Sequence, residues 1–363
     1  MCRLAGTPAG TQRAVKEKAN RKLLSEARNL LASEIVQVTG CTEPASVAFA
    51  FMLASRQLRV PFDPRTGKAI LHGSPEVLRN ASTAVVPFLN RRGLRAVVAA
   101  GLSSKARSFD LFPGVNLYSA RRLLKLRGWL AVHRASQGGV YVRAVLRMPG
   151  ESAEVVINGH HDEVRSVSRN GRPVLRRRAR RNNMIGMRDI MAVVAARDRR
   201  LEAVAREFIC RQVRGDSKLP VAERIPVLIR ERMCGSSDPV MTITGSGNHG
   251  IYLGVPFYEL YRKQGSRILP AALLALLAGI HMTAKRTRIS EECGLGTKAS
   301  PALAAGLAYA RGADCAQIMR LMRSVSRALR QLECHGAKAT CAGKARKALK
   351  VVMRKVDTTV ASR

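Results

Sequence analysis

Acidic side chains and aromatic rings are both scarce in this chain of 363 residues. Only 25 Asp and Glu stand against 63 Lys and Arg, leaving a formal net charge of +38, and aromatic residues make up 4%. With so few rings, a core has to be assembled from Ala, Val, Leu and Ile, and a nucleic-acid partner would find few platforms for its bases. Long apolar runs are absent too. The longest, residues 268–280, falls short of the roughly 18–20 residues that cross a bilayer, so no membrane role is expected. Residues 1–22 lack the apolar stretch of a secretory signal, which points to a cytoplasmic protein, although a basic, acid-poor start is also the composition of an organelle transit peptide.

What is present is enough to fold. Hydrophobic residues reach 46%, which excludes a disordered chain, and the length allows one large domain or two to three smaller ones. Eight cysteines are too few for a dense disulfide framework in a chain this long. Cys210 and Cys315 read as small packed residues. Cys41, Cys293, Cys334 and Cys341 sit among glycines, charges and turn residues and call for a chemical explanation.

Apolar spacing predicts an amphipathic helix over 13–36 and a buried one over 45–55, started by Pro44, with Cys41 just ahead of its N-terminus. A thiol there is expected to have a lowered pKa. From about 58 to 180 the texture changes to short punctuated segments, with strands predicted at 139–147, 153–158 and 163–168 and a turn at Asn170-Gly171. Helices are predicted again at 187–204, 270–283, 302–311 and 315–332. The expected architecture is α+β: a mostly helical catalytic body made from both chain ends, 1–57 and 183–363, with a central α+β segment over 58–182.

Three motifs invite chemistry. Residues 244–250 contain a literal GxGxxG, but Gly254 and Pro256 argue against the helix that a dinucleotide site needs directly afterwards, and Glu259 is the one acid from 251 to 290. A glycine-rich nest formed by Ser246, Gly247 and Asn248, holding a substrate carboxylate through backbone N–H groups, fits better. His160-His161-Asp162-Glu163 has metal-ligand residue types, yet adjacent histidines on a strand face opposite ways, so one buried and one exposed ring is expected, with His161 the candidate for a substrate-orienting or catalytic role. Cys334 and Cys341 would lie too far apart along a continuous helix. Gly336 can break that helix and, with Cys293, bring three thiolates to one site, suiting either zinc or an iron–sulfur cluster.

Taken in order, Gly40-Cys41-Thr42-Glu43-Pro44, Gly245-Ser246-Gly247-Asn248, Ser290-x-x-Cys293-Gly294 and Cys334-x-Gly336-Ala337-Lys338-x-x-Cys341 resemble the L-cysteine desulfidase family, which is related to the α chain of iron–sulfur L-serine dehydratases. The similarity spans roughly residues 25 to 350. The resemblance implies a [4Fe-4S] cluster on Cys293, Cys334 and Cys341, and β-elimination from a small amino acid, giving pyruvate, ammonia and, from cysteine, sulfide. It makes Cys41 a fourth cluster ligand or a proton acceptor. Beside it, residue chemistry offers Lys338 and the Ser246–Asn248 nest for the substrate carboxylate, Thr42 and Glu43 as substrate-binding neighbours, and His161 as a catalytic group. The chain departs from the family pattern at His335, where Asp is usual, at Glu291-Glu292, at Leu295-Gly296-Thr297 and at His249. The alternatives are a serine dehydratase-like deaminase, an inactive relative, and a nucleic-acid-binding protein using 176–181 and 197–200. A homo-oligomer is expected, as is non-specific polyanion binding through an Arg-rich surface at 176–181, away from the cysteines.

Overall fold

The computed structural model describes residues 9–180, 184–212 and 218–361, with side chains from 20 to 359. It is α+β, as expected. The N-terminal elements are α1 (Ala9–Glu34), β1 (Ile35–Thr39) and α2 (Thr42–Ser55). Next come β2 (Lys68–Gly73), α3 (Pro75–Thr83), β3 (Val85–Val86), β4 (Arg91–Arg92), α4 (Leu94–Leu102), α5 (Leu117–Lys125), β5 (Leu130–Arg134), β6 (Tyr141–Met148), β7 (Glu151–Asn158), β8 (Val164–Arg169) and β9 (Arg172–Arg176). The remainder is α6 (Met187–Ala195), α7 (Arg199–Arg211), α8 (Val221–Met233), β10 (Pro239–Ile243), α9 (Gly247–Gln264), α10 (Leu269–Ala284), α11 (Ser300–Ala310), α12 (Cys315–Ala328) and α13 (Cys341–Ala361).

The main sheet has strand order β5-β2-β6-β7-β8-β9; β2 and β5 are parallel and the other neighbours antiparallel. Its last hairpin turns on Asn170 (φ 49°) and Gly171 (φ 74°), both left-handed as a two-residue type I′ turn requires. Buried helix α2 packs on β6, β7 and α4 and so joins the sheet to the helices. A separate two-stranded ladder pairs β1 antiparallel with β10, tying the N-terminal segment to the middle of the helical body.

Helix α10 is apolar on every side and lies in the core against α11, α9, α6 and α7. By length and composition the stretch Gly247–Ala284 would suffice to cross a membrane, but 83% of its apolar window is buried inside the protein. The helix expected over 187–204 is two helices: Arg197 takes φ 51°, and the Asp198 carboxylate accepts from the N–H groups of Arg200 and Leu201 to start α7 afresh. Helix α12 ends at Ala328 rather than 332. Cys210 is exposed and Cys315 half-buried, so neither is the packed core residue expected.

Helix α9 approaches β10 so closely that a Cβ on Gly250 would lie 1.9 Å from the Met241 carbonyl oxygen. Gly250→Ala is therefore expected to destabilise the protein by about 2–4 kcal/mol, because the obstacle is backbone and cannot rotate away. A thermal or urea midpoint equal to that of the unaltered chain would contradict this packing.

Candidate functional site

Two turns aim their residues into one cavity of about 100 Å³. After β1, Gly40 adopts φ 73° beneath Pro87, and Cys41 becomes the extended N-cap of α2, with Thr42 and Glu43 in the first turn. Cys41 is buried and its thiol donates to Glu43 Oε2 at 3.0 Å. Burial, then the charge of Glu43, pushes the thiol well above its ordinary pKa, reversing the lowering expected at a helix start. Glu43 also accepts from Thr42 Oγ1 at 3.1 Å and from Asn80 Nδ2 at 2.9 Å. Burial alone would raise its carboxyl. Facing the His161 ring and accepting from Cys41 and Asn80, it is instead held below the usual carboxylate range.

The second turn follows β10. Thr244 and Gly245 take positive φ, and Ser246 caps α9 by accepting from the His249 N–H at 3.3 Å. The strand and helix around the GxGxxG are therefore both present, with Gly254 and Pro256 carried inside α9. A dinucleotide site still does not result. The partner of β10 is the antiparallel β1, and among the described residues no parallel βαβ unit includes it.

His160 and His161 lie on the turn between β7 and β8, not on a strand, and both are buried, against the expectation of one exposed ring. His160 Nε2 lies 2.9 Å from Arg288 Nη2, whose guanidinium also forks onto Glu34, with Nη1 donating at 2.8 Å. His161 packs so tightly on Gly245 that a Cβ there would lie 2.3 Å from Nδ1. Both its ring nitrogens lack hydrogen-bond partners among the described residues, and Nε2 stands 3.9 Å from Glu43 Oε1. Burial, only partly offset by Glu43, lowers its pKa to about 4.

The cysteine wall is built by backbone pairing. Cys293 N–H donates to Leu332 O at 2.7 Å and Cys334 N–H to Glu291 O at 2.6 Å, an antiparallel bridge that sets two distant cysteines side by side. Gly336 (φ 95°) then turns the chain against Thr83, where the hydroxyl accepts from the Ala337 N–H at 3.1 Å, and Cys341 opens α13. Cys41, Cys293, Cys334 and Cys341 line the same cavity as free thiols.

Among the described residues no three His, Cys, Asp or Glu side chains converge where a single ion would sit. A tetrahedral ion gathers its ligands at one point, whereas a multi-iron cluster meets each thiolate at a different iron. The donor set fits a cluster. Burial raises the thiols of Cys293 and Cys341, so binding iron would displace their protons.

Other expectations are redistributed. Lys338 is exposed and does not line the cavity. The lysine that does is Lys298, 1% exposed, carried by a π-helical turn over Leu295–Ala299 just after Cys293. It donates to the carbonyls of Thr287 and Arg288, and burial followed by the nearby Arg286 and Arg288 lowers its pKa to about 8. Arg232 and His249, both buried, also line the cavity. Gly247 supports it from below: a Cβ there would strike the Arg232 guanidinium. Thr42, Glu43, Ser246 and Asn248 line it as anticipated.

Of the family departures, one lies outside the cavity, at His335, and one lines it, at Glu292. His335 is exposed and pairs with Glu333, and Glu292 is met by Arg286 at 2.6 Å. Residues 176–180 are exposed, but not remote: Arg180 forks onto Asp162 at 3.2 Å and its N–H donates to Glu163, beside the histidine turn. Arg181 lies outside the described residues.

A family model of the serine dehydratase alpha chain matches residues 131–362. The chain is similar to a UPF0597 protein of Methanocella arvoryzae, 27% identical over 86% of this chain and 83% of that protein. Another, from Kosmotoga olearia, is 26% identical over 86% and 83%, and one from Clostridium perfringens 23% identical over 86% and 82%.

The buried histidines make stability depend on pH in a definite direction. His161 falls from 6.5 to about 4 and His249 to about 3, so each opposes protonation in the folded chain. Their contribution is complete above pH 6.5 and is lost as pH falls, towards 4 for His161 and towards 3 for His249, by on the order of 3 kcal/mol for His161. His161→Gln should flatten the fall of the urea midpoint between pH 6.5 and 4.5; an unchanged pH profile would remove His161 as its source.

Proposed function

Since the chain belongs to the serine dehydratase alpha-chain family, we propose that it is an iron–sulfur-dependent lyase that eliminates the β-substituent of a small amino acid, with L-cysteine as substrate and L-serine dehydration as the alternative. Cleaving the Cα–H and Cβ–S bonds yields sulfide and an enamine, and hydrolysis of its imine tautomer releases ammonia and pyruvate. The observation that carries this reading is one cavity lined by four free thiols together with a buried histidine whose two ring nitrogens have no partner among the described residues.

Cys293, Cys334 and Cys341 would hold the cluster. Once bound, it would supply Lewis acidity towards the substrate's carboxylate or leaving group in place of a pyridoxal electron sink. The protein's own groups divide the proton work. His161 is neutral at ordinary pH, has a free nitrogen and faces the Glu43 carboxylate, which would stabilise the imidazolium formed when it takes the Cα proton. Cys41 is a buried thiol hydrogen-bonded to Glu43, arranged to give a proton to the departing sulfur or oxygen and recover it afterwards. Burial and the Glu43 charge hold this thiol protonated, which makes it a proton donor and not the thiolate base expected of a helix start. Glu43 and Asn80 fix these groups in place.

A specific observation supports a second, compatible activity. A surface groove of about 1260 Å³ is lined by Arg91, Arg92, Arg95, Arg121 and Lys125, with no acid among its lining residues. Polyanion binding fits this groove better than residues 176–180, where Arg180 is already paired.

Replacing Cys293, Cys334 or Cys341 with Ser should each abolish the broad visible absorbance of the anaerobically reconstituted protein, and His161→Gln should keep that colour while lowering kcat about 100-fold or more. Retained colour in all three serine variants, or stoichiometric zinc without iron, would overturn the cluster assignment. For the groove, Ala at Arg91, Arg92, Arg121 and Lys125 together should reduce the slope of log affinity against log salt for single-stranded RNA by about 3; equal slopes would exclude it.

A further inference from the structure

Arg232 sits in the last turn of α8 with 4% of its surface exposed. A guanidinium offers five N–H donors. Here Nη1 donates to Asn248 Oδ1 at 2.8 Å, while Nε and Nη2 have no acceptor among the described residues. A buried cation left in this way is costly, and proteins pair such groups with an anion. No described carboxylate comes within ion-pair reach of it; Glu43 acts on it only as a neighbouring charge.

The identity of the free atoms narrows the choice of anion. Nε and Nη2 form one edge of the planar fork, the edge that takes the two oxygens of a carboxylate in parallel hydrogen bonds. That fork is laid flat on Gly247, where a Cβ would lie 2.6 Å from Cζ and Nε and 2.7 Å from Nη2. Gly247 opens α9, an 18-residue helix whose positive end also favours an anion. Asn248 holds the other side of the guanidinium and fixes its plane.

We propose that Arg232, oriented by Asn248 on the first turn of α9, is the residue that binds the substrate carboxylate, displacing Lys338 from that role. The assignment rests on the reading that a small amino acid enters this cavity. It anchors the substrate in the cavity that the thiols and His161 also line.

The test uses anaerobically reconstituted full-length protein and two unreactive probes that differ only at the carboxylate, L-alanine and L-alaninamide, with binding followed by calorimetry and iron content measured in parallel. The unaltered protein should prefer L-alanine by roughly 10- to 100-fold, as expected for a charge-assisted pair. Arg232→Met should lose that preference while keeping its iron, and Arg232→Lys should retain part of it. For a reactive substrate the loss should appear mainly in KM. Wild-type discrimination surviving in Arg232→Met overturns the assignment, as does loss of iron from both variants, which would show the guanidinium serving the thiolates instead. A protein that discriminates the two probes yet releases no pyruvate from cysteine or serine keeps the clamp and overturns the lyase reading.

Discussion

The pairing of residues 291–293 with 332–334 is what the cysteine half of the cavity depends on. Two backbone hydrogen bonds, each under 2.8 Å, hold it. Between them the chain travels out through α11 and back through α12, so the bridge closes a helical hairpin at its base. The same short extended pieces expose side chains on alternating faces, which sends Cys293 and Cys334 inward while Glu333 and His335 turn to solvent. Gly336 then reverses the chain, at a point where any side chain would meet Thr83 at the end of α3. The glycine couples the cysteine wall to the helix that carries Asn80, the partner of Glu43.

Around this frame the cavity concentrates buried charge. Glu34 answers Arg288, Glu43 is held by three donors, and Lys298 caps two carbonyls at the end of the α10 segment. In a chain with 25 acids against 63 bases such pairing is not a by-product of composition. Glu34 is placed where Arg288 would otherwise be stranded. Buried pairs of this kind seldom stabilise a fold more than well-packed apolar groups would, and their presence around one small cavity marks where polarity is retained for chemistry.

Much of this was legible in the sequence. Pro44 announced α2, Asn170-Gly171 announced a hairpin, and the isolated cysteines among glycines announced a common site. The local signal failed where long-range pairing decided the outcome. Strands β1 and β10 are five residues each and exist because they face each other across some 200 residues. The break at Arg197 came from a left-handed residue that no helical period reveals. Lys338 and Lys298 were equally plausible by type. Only the π-helical turn distinguishes them, by rotating Lys298 inward. Arg232 carried no signal at all, as one cation among 63.

The cavity draws its thiols from opposite ends of the chain. Cys41 and Cys341 are 300 residues apart, and β1 must await β10 before its ladder can close. At about 5–20 residues per second, a ribosome takes roughly 15–60 s to pass from one cysteine to the other. During that interval Cys41 and α2 have emerged without the wall that encloses them. The four thiols are complete only once Cys341, the first residue of α13, has been made, and a chain cut before that helix has a cavity lacking one of them.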